Sequence, residues 1–146
     1  MRRAVAEAVR GGLPTVAECG GFLYLCAALS SPSGERFPMA GVLPGEAADA
    51  GRSVRFGYAE LSAAEDSLLF RAGETFPVHE FHHWDASENG DAFQLTNPLS
   101  GRTWREGFAG RTLYAAFPHL YFAGSPVLAE RFVRAAENYG AEHGIM

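Results

Sequence analysis

A cysteine set between a short apolar run and a pair of glycines constrains this chain more than any other feature. Leu13 to Glu18 (LPTVAE) is bounded by Gly11-Gly12 before it and, past Cys19, by Gly20-Gly21 after it. A run so short, apolar and punctuated reads as a buried strand of an α/β sheet. The next run, GGFLYLCAAL from Gly20 to about Ser30, has helical composition and ends at Ser31-Pro32-Ser33-Gly34. Cys19 therefore falls at a strand-to-helix turn, the layout of a nucleophile elbow. Such a turn is tight and favours small neighbours. It also places the thiol at a helix N-terminus, where unpaired N–H groups and the positive dipole end favour thiolate over thiol and can stabilise an oxyanion. The competing reading of Cys-Gly-Gly is a structural cysteine beside two packing glycines, and the strand-before, helix-after context weakens it. Cys26, mid-helix between Leu25 and Ala27, reads as core.

Around this turn the chain punctuates itself. Residues 2–10 alternate apolar and charged positions at helical spacing, and Gly11-Gly12 stops that helix. Beyond Phe37 the texture changes to short aromatic and β-branched segments: SVRFGYAEL, TFPVHEFHHW, DAFQLT, TWREGFA and TLYAAF. Gly, Pro and Asn-Gly separate them, which predicts consecutive strands and hairpins. A last amphipathic helix is expected from about Pro126 to Tyr139, with Leu128, Phe132 and Ala136 on one face. No repeat, low-complexity tract or linker divides the chain, so residues 1–146 read as one domain.

Composition narrows the function classes. The formal charge of −5, with no basic run, gives no reason to expect nucleic-acid or anionic-membrane binding. No apolar stretch approaches the roughly 20 residues that cross a bilayer, and Glu7 and Arg10 interrupt any signal-peptide core. A soluble cytoplasmic protein is the expectation. With only two cysteines, a disulfide framework or a four-cysteine zinc site is ruled out.

The stretch Pro14 to Leu25 (PTVAECGGFLYL) closely resembles the nucleophile segment of the cobyrinic acid a,c-diamide synthase family, which carries a class I glutamine amidotransferase domain at its C-terminus. Phe56-Gly57-Tyr58 resembles that family's G-Y turn, and Val78-His79-Glu80-Phe81-His82 its G-H-E-F-H segment. Leu113 to Phe122 (LYAAFPHLYF) resembles the segment carrying the catalytic base, with His119 at the matching position. The Ala-Glu before the cysteine favours the a,c-diamide branch over the related cobyric acid synthases. The resemblance implies a three-layer, flavodoxin-like α/β sandwich, with Cys19 as nucleophile and His119 as base. Gly20, Gly21, His79, Glu80 and His82 are then expected around the glutamine site, although an ordinary polar strand explains the last three equally well. Glutamine would be hydrolysed through a thioester, and its ammonia passed to a synthetase site.

The same resemblance sets further expectations. Many class I amidotransferases carry a glutamate two residues beyond the base, and the cobyrinate branch typically a histidine. Tyr121 stands there in this chain, so the group that orients His119 stays open. Family domains begin with a strand and a glycine-containing loop that contributes an oxyanion-hole N–H, ahead of the helix that starts here at Arg2. The expectation is a domain lacking that first strand. The ATP- and Mg-dependent synthetase belongs to a separate domain in the family, and no G-x-x-x-x-G-K-[ST] loop occurs here. This chain is thus expected to need no cofactor or metal of its own.

Two rivals remain. His79-Glu80-Phe81-His82-His83 matches H-E-x-x-H, the zinc-hydrolase signature, which requires a helix. Thr75-Phe76-Pro77-Val78 before it and Asn89-Gly90 soon after favour a strand instead, with His79, Phe81 and His83 facing one way and Glu80 and His82 the other. The second rival is a non-catalytic interaction fragment. Within the amidotransferase reading itself, corrinoid a,c-diamide synthesis is the leading expectation, and a second possibility is another acceptor, such as a nickel-sirohydrochlorin or cell-wall substrate. His143 carries no signal.

Overall fold

The computed structural model describes residues 1–145. Its elements in chain order are α1 (Arg2–Arg10), β1 (Thr15–Glu18), α2 (Gly20–Leu25), β2 (Ala28–Ser30), β3 (Arg36–Pro38), β4 (Glu46–Asp49), β5 (Arg55–Ala63), β6 (Thr75–His82), β7 (Trp84–Ala86), β8 (Phe93–Thr96), β9 (Thr103–Glu106), β10 (Phe108–Ala109), β11 (Leu113–Ala116), β12 (His119–Leu120) and α3 (Pro126–His143). The architecture is mixed α/β, with three sheets among the described residues, ordered β1-β11-β10, β12-β6-β5-β8-β9 and β3-β2-β4-β7. Among those residues no helix is long and apolar enough to cross a membrane.

The strand that organises the site is β11. It pairs in parallel with β1, Thr15 opposite Leu113 and Glu18 opposite Ala116, so both strands end at the same edge. Its side chains alternate at period 2 between two apolar clusters. Tyr114 and Ala116 join Leu61, Phe70, Phe93, Leu95 and Leu128 on one face, while Ala115 and Phe117 join Phe22, Leu25 and Leu43 on the other. Both faces are therefore dry. Burying each large side chain there contributes about 1.5–3 kcal/mol before the entropy of ordering is counted. Cys26 lies fully buried in the second cluster, and burial pushes its thiol up to about 11.

Several sequence expectations need correction. The helix after Cys19 stops at Leu25, and Cys26 is already extended at φ −60°, ψ 169°. Residues 28–30 form β2, held between β3 and β4. Backbone pairing from distant strands overrides the helical composition of GGFLYLCAAL, a tertiary effect no local count detects. The LPTVAE run is an edge strand with only Ala17 of β1 fully buried. The segment TFPVHEFHHW breaks at His83, and β7 leaves to pair with β4. In α3, Ala136 is exposed and Ala135 packs against the core with Leu128 and Phe132. Gly107 is a true steric requirement: at φ +89° a Cβ there would sit 2.5 Å from the Phe93 ring.

Candidate active site

Cys19 occupies the turn between β1 and α2 with φ 47° and ψ −104°, the sole positive φ outside glycine among the described residues. Holding a cysteine there costs on the order of 1–3 kcal/mol, which the surrounding structure must outweigh. Part of that restraint is the Cys19 N–H, which donates to the Ala116 carbonyl at 2.9 Å and pins the turn to the end of β11. Burial raises the Cys19 thiol pKa; the Gly20 N–H opposes that rise and the Glu18 carboxylate adds to it. This corrects the expectation that the helix terminus favours thiolate. Burial is the largest cause and outweighs the Gly20 N–H at the start of α2, so forming a thiolate here would require a partner to take the proton.

His119 opens β12, which pairs antiparallel with β6 so that His119 faces His79. Its Nδ1 lies 3.0 Å from the His79 carbonyl oxygen. A carbonyl only accepts, so Nδ1 carries a proton, and in the neutral ring Nε2 is then the nitrogen with the lone pair. The orienting partner left open by Tyr121 is thus a backbone carbonyl. Tyr121 itself is exposed.

The segment from Phe117 to Leu120 is fixed at every residue. Phe117 receives the stacked ring of His82, centroids 3.8 Å apart and planes 6° from parallel. Its N–H favours the ionised form of the neighbouring Glu106 carboxyl. The Tyr114 hydroxyl donates to the Pro118 carbonyl at 3.0 Å. His119 is held by His79, and the Leu120 N–H donates to Glu18 Oε1 at 2.9 Å. Burial and the neighbouring Glu80 push the Glu106 carboxyl up to about 8, against the pull of Arg55 and the Phe117 N–H.

The expected site residues divide in two. His79 lines a cleft of about 380 Å³ with His119, Tyr58, Tyr121 and Pro77, and its ring meets Tyr58 edge-on at 5.1 Å. Glu80 and His82 are not brought into that cleft. They lie on the opposite face of β6, 1% and 5% exposed, with Glu80 Oε1 3.2 Å from His82 Nε2 and His82 Nδ1 bonded to the Trp84 carbonyl. Period-2 alternation separates them from His79. The H-E-x-x-H run is strand through His82, so the helical face that a zinc site of this type needs is not formed. The glycines also differ from expectation: a Cβ at Gly20 would meet nothing within 4 Å, and one at Gly21 would lie 3.5 Å from Ala17 Cβ. Packing within the protein does not require glycine at either position.

Residues 1–127, a span that includes Cys19 and His119, match the model of the CobB/CobQ-like glutamine amidotransferase domain. The chain belongs to that family. It therefore has the class I amidotransferase fold, in a family that is typically catalytic. Among the similar proteins are a cobyrinate a,c-diamide synthase of Caldanaerobacter subterraneus, 31% identical over 142 residues, and one of Salmonella typhimurium, 32% identical over 140. A hydrogenobyrinate a,c-diamide synthase of Streptomyces coelicolor is 35% identical over 133 residues. These alignments cover 96%, 93% and 91% of this chain but 31%, 30% and 26% of the relatives, so the chain spans about a third of their length. Within this family member, sequence reasoning missed Glu18, Glu106 and Tyr114. Glu18 was legible as a charge closing a mostly apolar strand, in need of a partner, whereas Glu106 lies in the polar strand TWRE and offered no such contrast. Tyr114 carried no such signal.

Proposed function

We propose that the chain is the glutaminase domain of an a,c-diamide synthase, feeding ammonia to a synthetase domain that amidates corrinoid carboxylates. In this reading His119 Nε2 takes the Cys19 proton, and the thiolate attacks the side-chain carbonyl of glutamine. The Gly20 and Gly21 N–H groups face the developing oxyanion. His119 returns the proton to the departing ammonia. The resulting thioester is hydrolysed by a water that His119 deprotonates, releasing glutamate. The observation that carries the reading is the strained Cys19 pinned to the end of the strand from which the His119 segment continues. The Nδ1 bond to the His79 carbonyl, which leaves Nε2 as the nitrogen able to act as base, supports the same roles.

The acceptor reading rests on the relatives, whose names specify cobyrinate or hydrogenobyrinate. The proposal includes a three-layer, flavodoxin-like arrangement spanning residues 1–146 and a cytoplasmic location. ATP and Mg belong to the partner synthetase domain in this proposal, and no cofactor to this chain. The test is labelling by 6-diazo-5-oxonorleucine, a glutamine-mimicking electrophile, mapped by mass spectrometry. Cys19 is expected to be modified in preference to Cys26, with labelling abolished in Cys19→Ser and slowed in His119→Ala. A folded protein that is not labelled would identify a non-catalytic fragment.

A further inference from the structure

All twelve basic residues of this chain are arginines, in a protein of formal charge −5, and four of them line one cleft. Arg71, Arg111, Arg131 and Arg134 meet there with Asp66 and Asn138 around a space of about 440 Å³, between the β5–β6 loop and α3. The cleft is remote from Cys19. Arg111 precedes β11 and the His119 segment follows it, so the two sites lie at opposite ends of that strand.

The four guanidinium groups are not equally free. Arg131 is committed, with both Nη atoms on the Glu74 carboxylate at 2.5 and 2.8 Å and Nη1 also on the Leu69 carbonyl. Arg71 spends Nη1 on the Ser67 and Phe70 carbonyls, leaving Nη2 and Nε. Arg111 and Arg134 make no hydrogen bond or ion pair among the described residues. On the acidic side, Asp66 Oδ1 is already used by the Ala72 N–H. With Glu74 matched to Arg131, Asp66 is the one carboxylate on the lining against Arg71, Arg111 and Arg134.

Unmatched cations gathered in a concave site repel one another, and a concave wall focuses their field outward. Guanidinium forks match oxyanions two bonds at a time. The remaining walls are Ser67, Leu68 and Ala135, with no aromatic ring on which a nucleobase could stack. We propose that this cleft binds a compact, multiply charged oxyanion of the phosphate or pyrophosphate class. The ligand bridges Arg111 and Arg134, with the free edge of Arg71 completing the cradle. Arg131, locked by Glu74, serves as a wall that holds α3 against the loop.

The test is calorimetric titration of the whole chain at low ionic strength with orthophosphate, pyrophosphate and, as a carboxylate comparison, citrate. Saturable one-to-one binding of a phosphate is expected. It should weaken about tenfold or more in Arg111→Ala/Arg134→Ala, since each lost charge-assisted bond is worth a substantial part of 1.4 kcal/mol or more. Arg52→Ala/Arg102→Ala removes the same charge elsewhere on the surface and should leave binding within about twofold. Arg134→Glu, on an exposed helical position, should abolish it. Three results would overturn the proposal: no saturable heat with either phosphate, equal weakening in both double variants, or tighter binding of citrate than of pyrophosphate. Among the described residues neither Arg111 nor Arg134 has a hydrogen-bond or ion-pair partner to lose, so circular dichroism of the variants should match that of the parent.

Discussion

The carboxylate of Glu18 accepts the Leu120 N–H at 2.9 Å across 102 residues of sequence. It joins the residue before the proposed nucleophile to the residue after the proposed base. Glu18→Ala should lower kcat/KM for glutamine about ten- to a hundredfold by letting the two sites drift apart, at modest cost in Tm. Glu18→Gln keeps the acceptor oxygen and should retain most activity. The Glu18 charge holds the Cys19 thiol pKa up, so removing it lowers that pKa. The pH midpoint of Cys19 alkylation by iodoacetamide should therefore fall in both variants, which separates the electrostatic role from the positioning role.

Gly20 offers a second test, because space above it is open. Gly20→Ala should leave the fold intact and stabilise it by up to about 1 kcal/mol, since alanine is the better helix former. If that open space admits the glutamine amide, the same variant should slow labelling by the glutamine mimic. Unchanged labelling would place the substrate elsewhere around Cys19.

The buried Glu106 predicts a pH dependence. Its folded carboxyl is raised to about 8 from an ordinary 4.5. The folded state therefore holds a proton that the unfolded chain releases, and stability from this group is full below pH 4.5 and lost as pH rises through 8. Glu106→Gln keeps a neutral side chain at every pH. The difference in Tm between variant and parent should move in the variant's favour between pH 5 and pH 9, measured by thermal denaturation.

His82 and Glu80 form a buried pair under Phe117. His82→Leu leaves Glu80 without its partner and should cost about 1–3 kcal/mol, read from urea denaturation. Replacing both, as Glu80→Met/His82→Leu, should recover much of that loss, because no unpaired polar group is then buried. A double variant whose loss relative to the parent equals the sum of the losses of Glu80→Met and His82→Leu would argue against the pairing.

What sequence alone determined was local. The strand–cysteine–glycine–glycine–helix order follows from propensity and punctuation within about a dozen residues, and the separation of His79 from Glu80 and His82 follows from the two-residue period of a strand, while which face is buried came from the structure. The resemblance of Pro14–Leu25 and of the His119 segment to one family set the expectation that the family match then met. Tertiary structure decided the rest. The stop of α2 at Leu25 depends on β3 and β4 pairing with residues 28–30, and the exit of β7 at His83 depends on β4. The partner of His119 is a main-chain carbonyl, which no residue type announces, because every residue carries one. The raised thiol of Cys19 is a balance of burial against a single N–H and a neighbouring charge. Burial is a property of packing between segments far apart in sequence, so the balance could be read only once β1, β11 and the His119 segment had been brought to one edge.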